Sequence, residues 1–167
     1  MSDLEETLSG EEEPGRPATK ASLRERALWH RLRERLLLYA VVSVGSVIGS
    51  VLRALASLAA LGWLGPGFPW GTLSVNIVGS FVIGFYATIT GPEGRIFAGM
   101  YQRQFVMTGI CGGFTTFSVF SLETFQALHA GEFVLAGLYA GISVITWLAS
   151  AWLGHALASR FNRLGGT

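Results

Sequence analysis

An apolar stretch that weakens its own backbone constrains this chain more than any other feature. Gln104 to Leu128 is long enough to cross a bilayer as a helix, yet its middle reads Gly112-Gly113-Phe114-Thr115-Thr116-Phe117-Ser118-Val119-Phe120-Ser121. A helix surrounded by hydrocarbon has no ordinary reason to carry paired glycines and hydroxyls at mid-depth. Irregular backbone is tolerated there only where protein covers it or where it lines a water-filled cavity. Helices broken in this way turn carbonyls or amides toward ions. The segment Gly109 to Glu123 is therefore expected to be a membrane helix broken near Gly112–Thr115, and the chain to handle an ion.

The charge distribution agrees. Of the 167 residues, 50% are hydrophobic and only 14% are charged, where soluble domains carry roughly 25%. Most of the charge precedes Leu36, and the remainder of the chain is nearly bare. Four apolar stretches follow that head, over about Leu36–Leu61, Leu73–Thr90, Gln104–Leu128 and Phe133–Leu157. The runs do not alternate with period two, which argues against a β-barrel. The expected fold is an all-α membrane protein of four transmembrane helices. Residues 1–35 read as a polar, disordered head with a basic helix from Ala21 to Arg35 near anionic headgroups. Residues 36–158 form the membrane domain, and 159–167 a short polar tail. Met1 to Lys20 is acidic and contains Pro14 and Pro17, the reverse of a secretory signal.

Basic residues assign orientation. Seven precede the first span, Arg95 and Arg103 lie between spans two and three, and Arg160 and Arg163 follow span four. The positive-inside tendency places both termini and the middle connection in the cytoplasm, in the cell (inner) membrane. The basic residues are not interleaved with aromatics on a soluble face, so no nucleic-acid partner is expected. A single cysteine, Cys111, excludes an intrachain disulfide, and the three histidines are too scattered for a transition-metal site.

Polar residues inside the spans are the candidates for chemistry. Gly45, Gly49 and Arg53 share one face of span one, where small residues permit close helix contact. Arg53 is either a snorkelling arginine or a fixed charge at a vestibule or buried contact. Asn76 and Ser80 stack on one face of span two. A buried amide must find partners, as interhelical glue or as an N–H donor to a passing anion. Tyr139, Ser143 and Trp147 form one stripe on span four, with Ser150 close to it, either a packing seam or the wall of a narrow path. Phe117 and Phe120, three apart, either pack or present their positive ring edges to one side of the broken helix.

The Gly112–Ser121 string, the string Gly71-Thr72-Leu73-Ser74-Val75-Asn76-Ile77-Val78-Gly79-Ser80-Phe81 and the first span ending in Arg53 together resemble the fluoride-specific ion channels of the Fluc/CrcB family. The resemblance covers about Leu36 to Leu157. It implies small four-helix subunits paired antiparallel in the lipid bilayer, with two pores that let fluoride leave the cytoplasm passively and so lower its toxicity. It implies a structural, untransported Na⁺ at the dimer centre, held by the backbone carbonyls of Gly112 and Thr115. It implies a pore lined by Asn76, Phe117 and Phe120 with a polar track of Ser118, Tyr139 and Ser143. Arg53 and Glu123 become vestibule or structural charges. The chain departs from the family pattern at Val119, where a threonine is common, and at Trp147, where a small polar residue suits the stripe. The charge bias is stronger than dual insertion favours, so the partner is either a second copy or an oppositely oriented homologous subunit. Rival readings are a small proton-coupled exporter, which would need a titratable group deep in the bundle, and a non-transporting scaffold. No Ser/His/Asp constellation or phosphate-cradling loop points to an enzyme.

Overall fold

A computed structural model describes residues 20–92 and 94–163; the acidic stretch read as disordered lies outside the described residues. All regular structure among the described residues is helical. In chain order the elements are α1 (Lys20–Leu64), α2 (Trp70–Ile89), α3 (Met100–Gln104), a π-helical segment (Phe105–Cys111), α4 (Gly112–Phe114), α5 (Phe117–His129) and α6 (Phe133–Arg163). Four stretches are long and apolar enough to cross a membrane: Arg24–Leu64, Trp70–Ile89, Met100–His129 and Phe133–Arg163. The chain divides into two compact units between Leu36 and Leu37.

Two boundaries differ from the sequence reading. The basic segment expected as a separate helix from Ala21 to Arg35 belongs to α1, which runs unbroken from Lys20. No glycine or proline lies between Lys20 and Tyr39 to stop it, and arginine, glutamate, leucine and alanine are good helix formers. At the other end α6 continues to Arg163, past the expected end at Leu157, because nothing before Gly165 breaks helical winding.

Glycines set where helices stop. Gly65 adopts a left-handed φ of 77° and its N–H donates to Leu61 O at 3.0 Å, closing α1 before Pro66. Gly131, at φ 79°, plays the same part between α5 and α6. Its N–H donates to Leu128 O at 3.1 Å, while Glu132 N–H reaches Ala127 O at 2.9 Å.

Helix contacts in the membrane unit rest on small residues, because lipid gives no hydrophobic drive for helix association. Gly45 and Gly49 of α1 are buried against the third stretch. A Cβ on Gly45 would sit 2.7 Å from Phe105 O and 2.9 Å from Gly109 Cα. A Cβ on Gly113 would run into Ser46 O. The seam therefore rests on glycines four residues apart on each helix, Gly45 meeting Gly109, Gly49 the Ile110 backbone and Gly113 that of Ser46. The second seam joins α2 and α6, where Gly84 lies on the Ala151 carbonyl and Gly154 on that of Phe81. Ser150 Oγ donates to Ile77 O at 2.7 Å across it. The α2–α3 connection is tied to α6 by Arg95 N–H to Asn162 Oδ1 (3.2 Å) and Asn162 Nδ2 to Thr88 O (3.1 Å).

The outer faces carry exposed Leu, Val, Ile and Phe from every span, while the small core centres on Leu73, Phe120 and Tyr139. Such inversion suits a subunit whose outside meets lipid or another subunit.

Candidate functional site

The third stretch is broken, but not at its glycines. Gly112 keeps right-handed helical angles, and the chain turns extended at Thr115 (φ −84°, ψ 157°) and Thr116 (φ −151°, ψ 122°). The expected break near Gly112–Thr115 is present, at the C-terminal end of that range. Gly113 is needed for its contact with Ser46, whereas Thr115 and Thr116 are the residues that leave the helix.

Thr115 closes the preceding helix twice over, its N–H donating to Cys111 O at 2.9 Å, while Thr116 replaces a lost backbone bond with its own hydroxyl. Thr115 Oγ1 donates to Cys111 O at 2.8 Å. Thr116 Oγ1 accepts the N–H of Val119 at 3.2 Å and so caps α5. Thr116 N–H donates to Asn76 Oδ1 at 2.8 Å, and Asn76 Nδ2 donates to Thr116 O at 2.9 Å. This two-bond clasp holds the break against α2. A third contact supports it: Thr115 Cγ2 fills the space a Cβ on Gly79 would occupy.

The diverted bonds matter for two carbonyls. In an unbroken helix Gly112 O would receive Thr116 N–H, and Thr115 O would receive Val119 N–H. Both donors are committed elsewhere. Gly112 O and Thr115 O are thus hard oxygen donors without their helical partners, the chemistry a small cation requires.

Beside the break runs the α6 stripe. Tyr139 is 1% exposed and Ser143 fully buried. Tyr139 OH donates to Glu123 Oε2 at 2.6 Å, and Thr72 Oγ1 donates to Glu123 Oε1 at 2.9 Å. Glu123 is therefore half-buried with both oxygens occupied. Ser143 Oγ and Trp147 Nε1 are buried without a hydrogen-bond partner among the described residues. Phe120 packs on this stripe, its ring 5.2 Å from Tyr139 and edge-to-face with Trp147 at 4.8 Å.

Two cavities lie at the ends of the stripe. One of about 680 Å³ is lined by Thr72, Val119, Glu123 and Tyr139 beside the α1–α2 connection. The other, about 180 Å³, is lined by Asn76, Ser80, Thr115, Thr116, Phe117 and Trp147. Tyr139, Ser143 and Trp147 cover the interval, about 12 Å at 1.5 Å per residue.

The family follows from comparison. A family model described as "CrcB-like protein, Camphor Resistance (CrcB)" matches residues 40–155. The chain belongs to the CrcB family. "Fluoride-specific ion channel FluC 1" of Rhodopseudomonas palustris is 60% identical over 136 residues, covering 81% of this chain and 96% of the relative. A protein of the same name from Bradyrhizobium diazoefficiens is 58% identical over 128 residues, 77% of this chain and 89% of its own. "Fluoride-specific ion channel FluC" of Opitutus terrae is 50% identical over 131 residues, 78% and 98% respectively. These relatives carry the names of channels, not of enzymes.

The residues singled out in sequence divide into groups within the CrcB fold. Asn76 and Phe117 line the smaller cavity, while Phe120, Tyr139 and Ser143 form the buried stripe with Glu123 at its end. Phe120 is 7% exposed but Phe117 is 70% exposed, so the two rings, 5.5 Å apart, do not share one environment within a subunit. Ser118 is exposed and its Oγ lies 3.2 Å from Thr116 Oγ1, at the break rather than on the stripe. Arg53 is half-buried and makes no hydrogen bond or ion pair among the described residues. Sequence reasoning passed over Thr72 and Thr116. Thr72 was detectable: Thr72, Asn76 and Ser80 recur every four residues. Thr116 acts through backbone and capping contacts that residue type alone does not reveal.

Proposed function

We propose that this chain is a fluoride-selective ion channel, not an enzyme, that lets fluoride leave the cytoplasm down its gradient. The observation that carries the reading is the Asn76–Thr116 clasp, which holds a broken membrane helix beside a buried stripe with unused donors. Fluoride is small and strongly hydrated, so a path must replace water with N–H and O–H groups. Asn76 keeps one N–H beyond its bond to Thr116, and Ser143 Oγ and the hydroxyls near the cavities add others. Phe120 and Phe117 supply ring edges, which are electropositive. Tyr139 and Thr72 hold the Glu123 carboxylate in place by occupying both its oxygens.

The assembly belongs to the same proposal. Two subunits pair antiparallel, as a homodimer or with an oppositely oriented homologue, so that the exposed Phe117 of each meets the other subunit. Gly112 and Thr115 carbonyls would hold a structural Na⁺ at the centre. When bound, that ion supplies a fixed positive charge that draws the two breaks together. Both termini face the cytoplasm in the favoured orientation in the inner membrane, from the Lys/Arg bias. The exporter reading fits less well, because Glu123 is engaged by Thr72 and Tyr139 at the end of the stripe.

Purified full-length protein in liposomes tests the reading. Fluoride efflux is expected to be fast, chloride efflux slow, and removal of Na⁺ to weaken transport. Equal leakage of chloride, or efflux driven by a proton gradient, would refute it.

A further inference from the structure

The stripe ends in a tryptophan where a short polar side chain would suffice, and its polar atom is unused. Trp147 Nε1 is buried and has no partner among the described residues, and Ser143 Oγ, one turn earlier on α6, shares that condition. A buried donor without a partner is costly in an apolar surrounding, so native structures rarely keep one idle. Trp147 lines the cavity of about 180 Å³ together with Asn76, Ser80, Thr115, Thr116 and Phe117. Its ring is seated by the edge-to-face contact with Phe120 (4.8 Å, 74°).

The chemistry of the group narrows what it can bind. Indole N–H is a donor only, unlike a hydroxyl, which also accepts. A serine here would serve an anion, a water or a cation alike; an indole N–H serves only a lone pair. The ring also fills space that a hydroxymethyl group would leave open, and water in the liquid takes roughly 30 Å³ per molecule. We infer that the Trp147 indole N–H is an additional donor to a small anion in this cavity, and that its ring excludes larger ones. This rests on the channel reading and deepens it: the residue adds selectivity at a site shared with Asn76.

The test uses full-length protein in nanodiscs, with tryptophan indole nitrogens labelled with ¹⁵N. The chain has five tryptophans, and Trp147→Phe identifies the resonance of interest while keeping an aromatic ring against Phe120. Sodium fluoride is expected to move the Trp147 indole resonance saturably, and sodium chloride at equal concentration to leave it in place. In liposomes, Trp147→Phe is expected to lower fluoride efflux roughly ten-fold, as for deletion of one hydrogen bond to a charged group. Trp147→Ser, with a donor on a shorter arm, is expected to regain fluoride flux but to leak more chloride. A wild-type protein that conducts fluoride while its Trp147 resonance ignores the ion would overturn the assignment and leave the channel reading standing. Loss of flux in Trp147→Phe without a fluoride-dependent shift in the wild type would equally overturn it, as a packing effect. A wild-type protein that moves no fluoride would overturn the channel reading first.

Discussion

Asn76→Asp exchanges a single N–H₂ group for an oxygen and separates the two tasks assigned to this side chain. The carboxylate can still accept Thr116 N–H, which now lies 2.8 Å from Oδ1. It can no longer donate to Thr116 O, 2.9 Å from Nδ2. One interhelical hydrogen bond is lost, about 0.6–2 kcal/mol in a membrane bundle, and a buried carboxylate oxygen facing the Thr116 carbonyl adds to that cost. The effect on transport is expected to be far larger. A fixed negative charge about 4 Å from a passing anion costs on the order of 4 kcal/mol at an effective dielectric of about 20. At about 1.4 kcal/mol per decade of rate, this amounts to nearly a thousand-fold slower flux. Fluoride-electrode recordings of efflux from liposomes measure the transport term, and thermal melting in detergent measures the stability term. The expected result is near-silent transport by a protein that still melts cooperatively, below the wild type. Efflux close to the wild-type rate from a folded Asn76→Asp protein would refute the placement of this amide beside the ion path. Unfolding of the variant would instead show that the clasp carries far more of the fold's stability than one bond accounts for.

Other consequences can be checked separately. Gly113→Val places methyl groups against the Ser46 carbonyl and is expected to cost at least 1–3 kcal/mol, visible as aggregation on size-exclusion chromatography. Thr116→Val removes the hydroxyl that accepts Val119 N–H and is expected to destabilise by about 0.5–2 kcal/mol, read by chemical denaturation in detergent. Tyr139→Phe strips Glu123 Oε2 of its donor. It is expected to destabilise by about 1.5–3 kcal/mol, as loss of a hydrogen bond to a charged group does, read by thermal melting in detergent, and to slow fluoride efflux measured in liposomes.

The number and rough extent of the helices were legible because apolar length is a strong signal in a chain with so little charge. Helix ends were less so: α1 absorbs Lys20 to Arg35 because winding stops at breakers such as Gly65 and Pro66, not where polarity changes. Paired glycines drew attention to the right segment for an incomplete reason. Gly113 admits the Ser46 backbone, and the break itself belongs to Thr115 and Thr116, where the Thr116 hydroxyl substitutes for a lost peptide acceptor. The candidate site was legible where spacing carried it, in Asn76 with Ser80 and in Tyr139 with Ser143. Partnerships across forty or more residues, such as Asn76 with Thr116 and Thr72 with Glu123, have no periodic trace. Nor does spacing reveal that Phe117 turns outward while Phe120 turns in.

The π-helical segment from Phe105 to Cys111 acts as a phase shifter. Each residue of an ordinary helix advances the winding by about 100°, so wider coiling over this stretch resets the direction in which everything downstream points. Gly113 meets Ser46 and Thr116 meets Asn76 with that offset in place. Inserting one more residue between Phe105 and Cys111 would leave composition, hydropathy and span length nearly intact. It would nevertheless aim the threonines at the wrong neighbours, and such a protein should insert normally yet be inert, whereas deleting one residue would let the segment return to ordinary winding with the threonines still aimed at their partners.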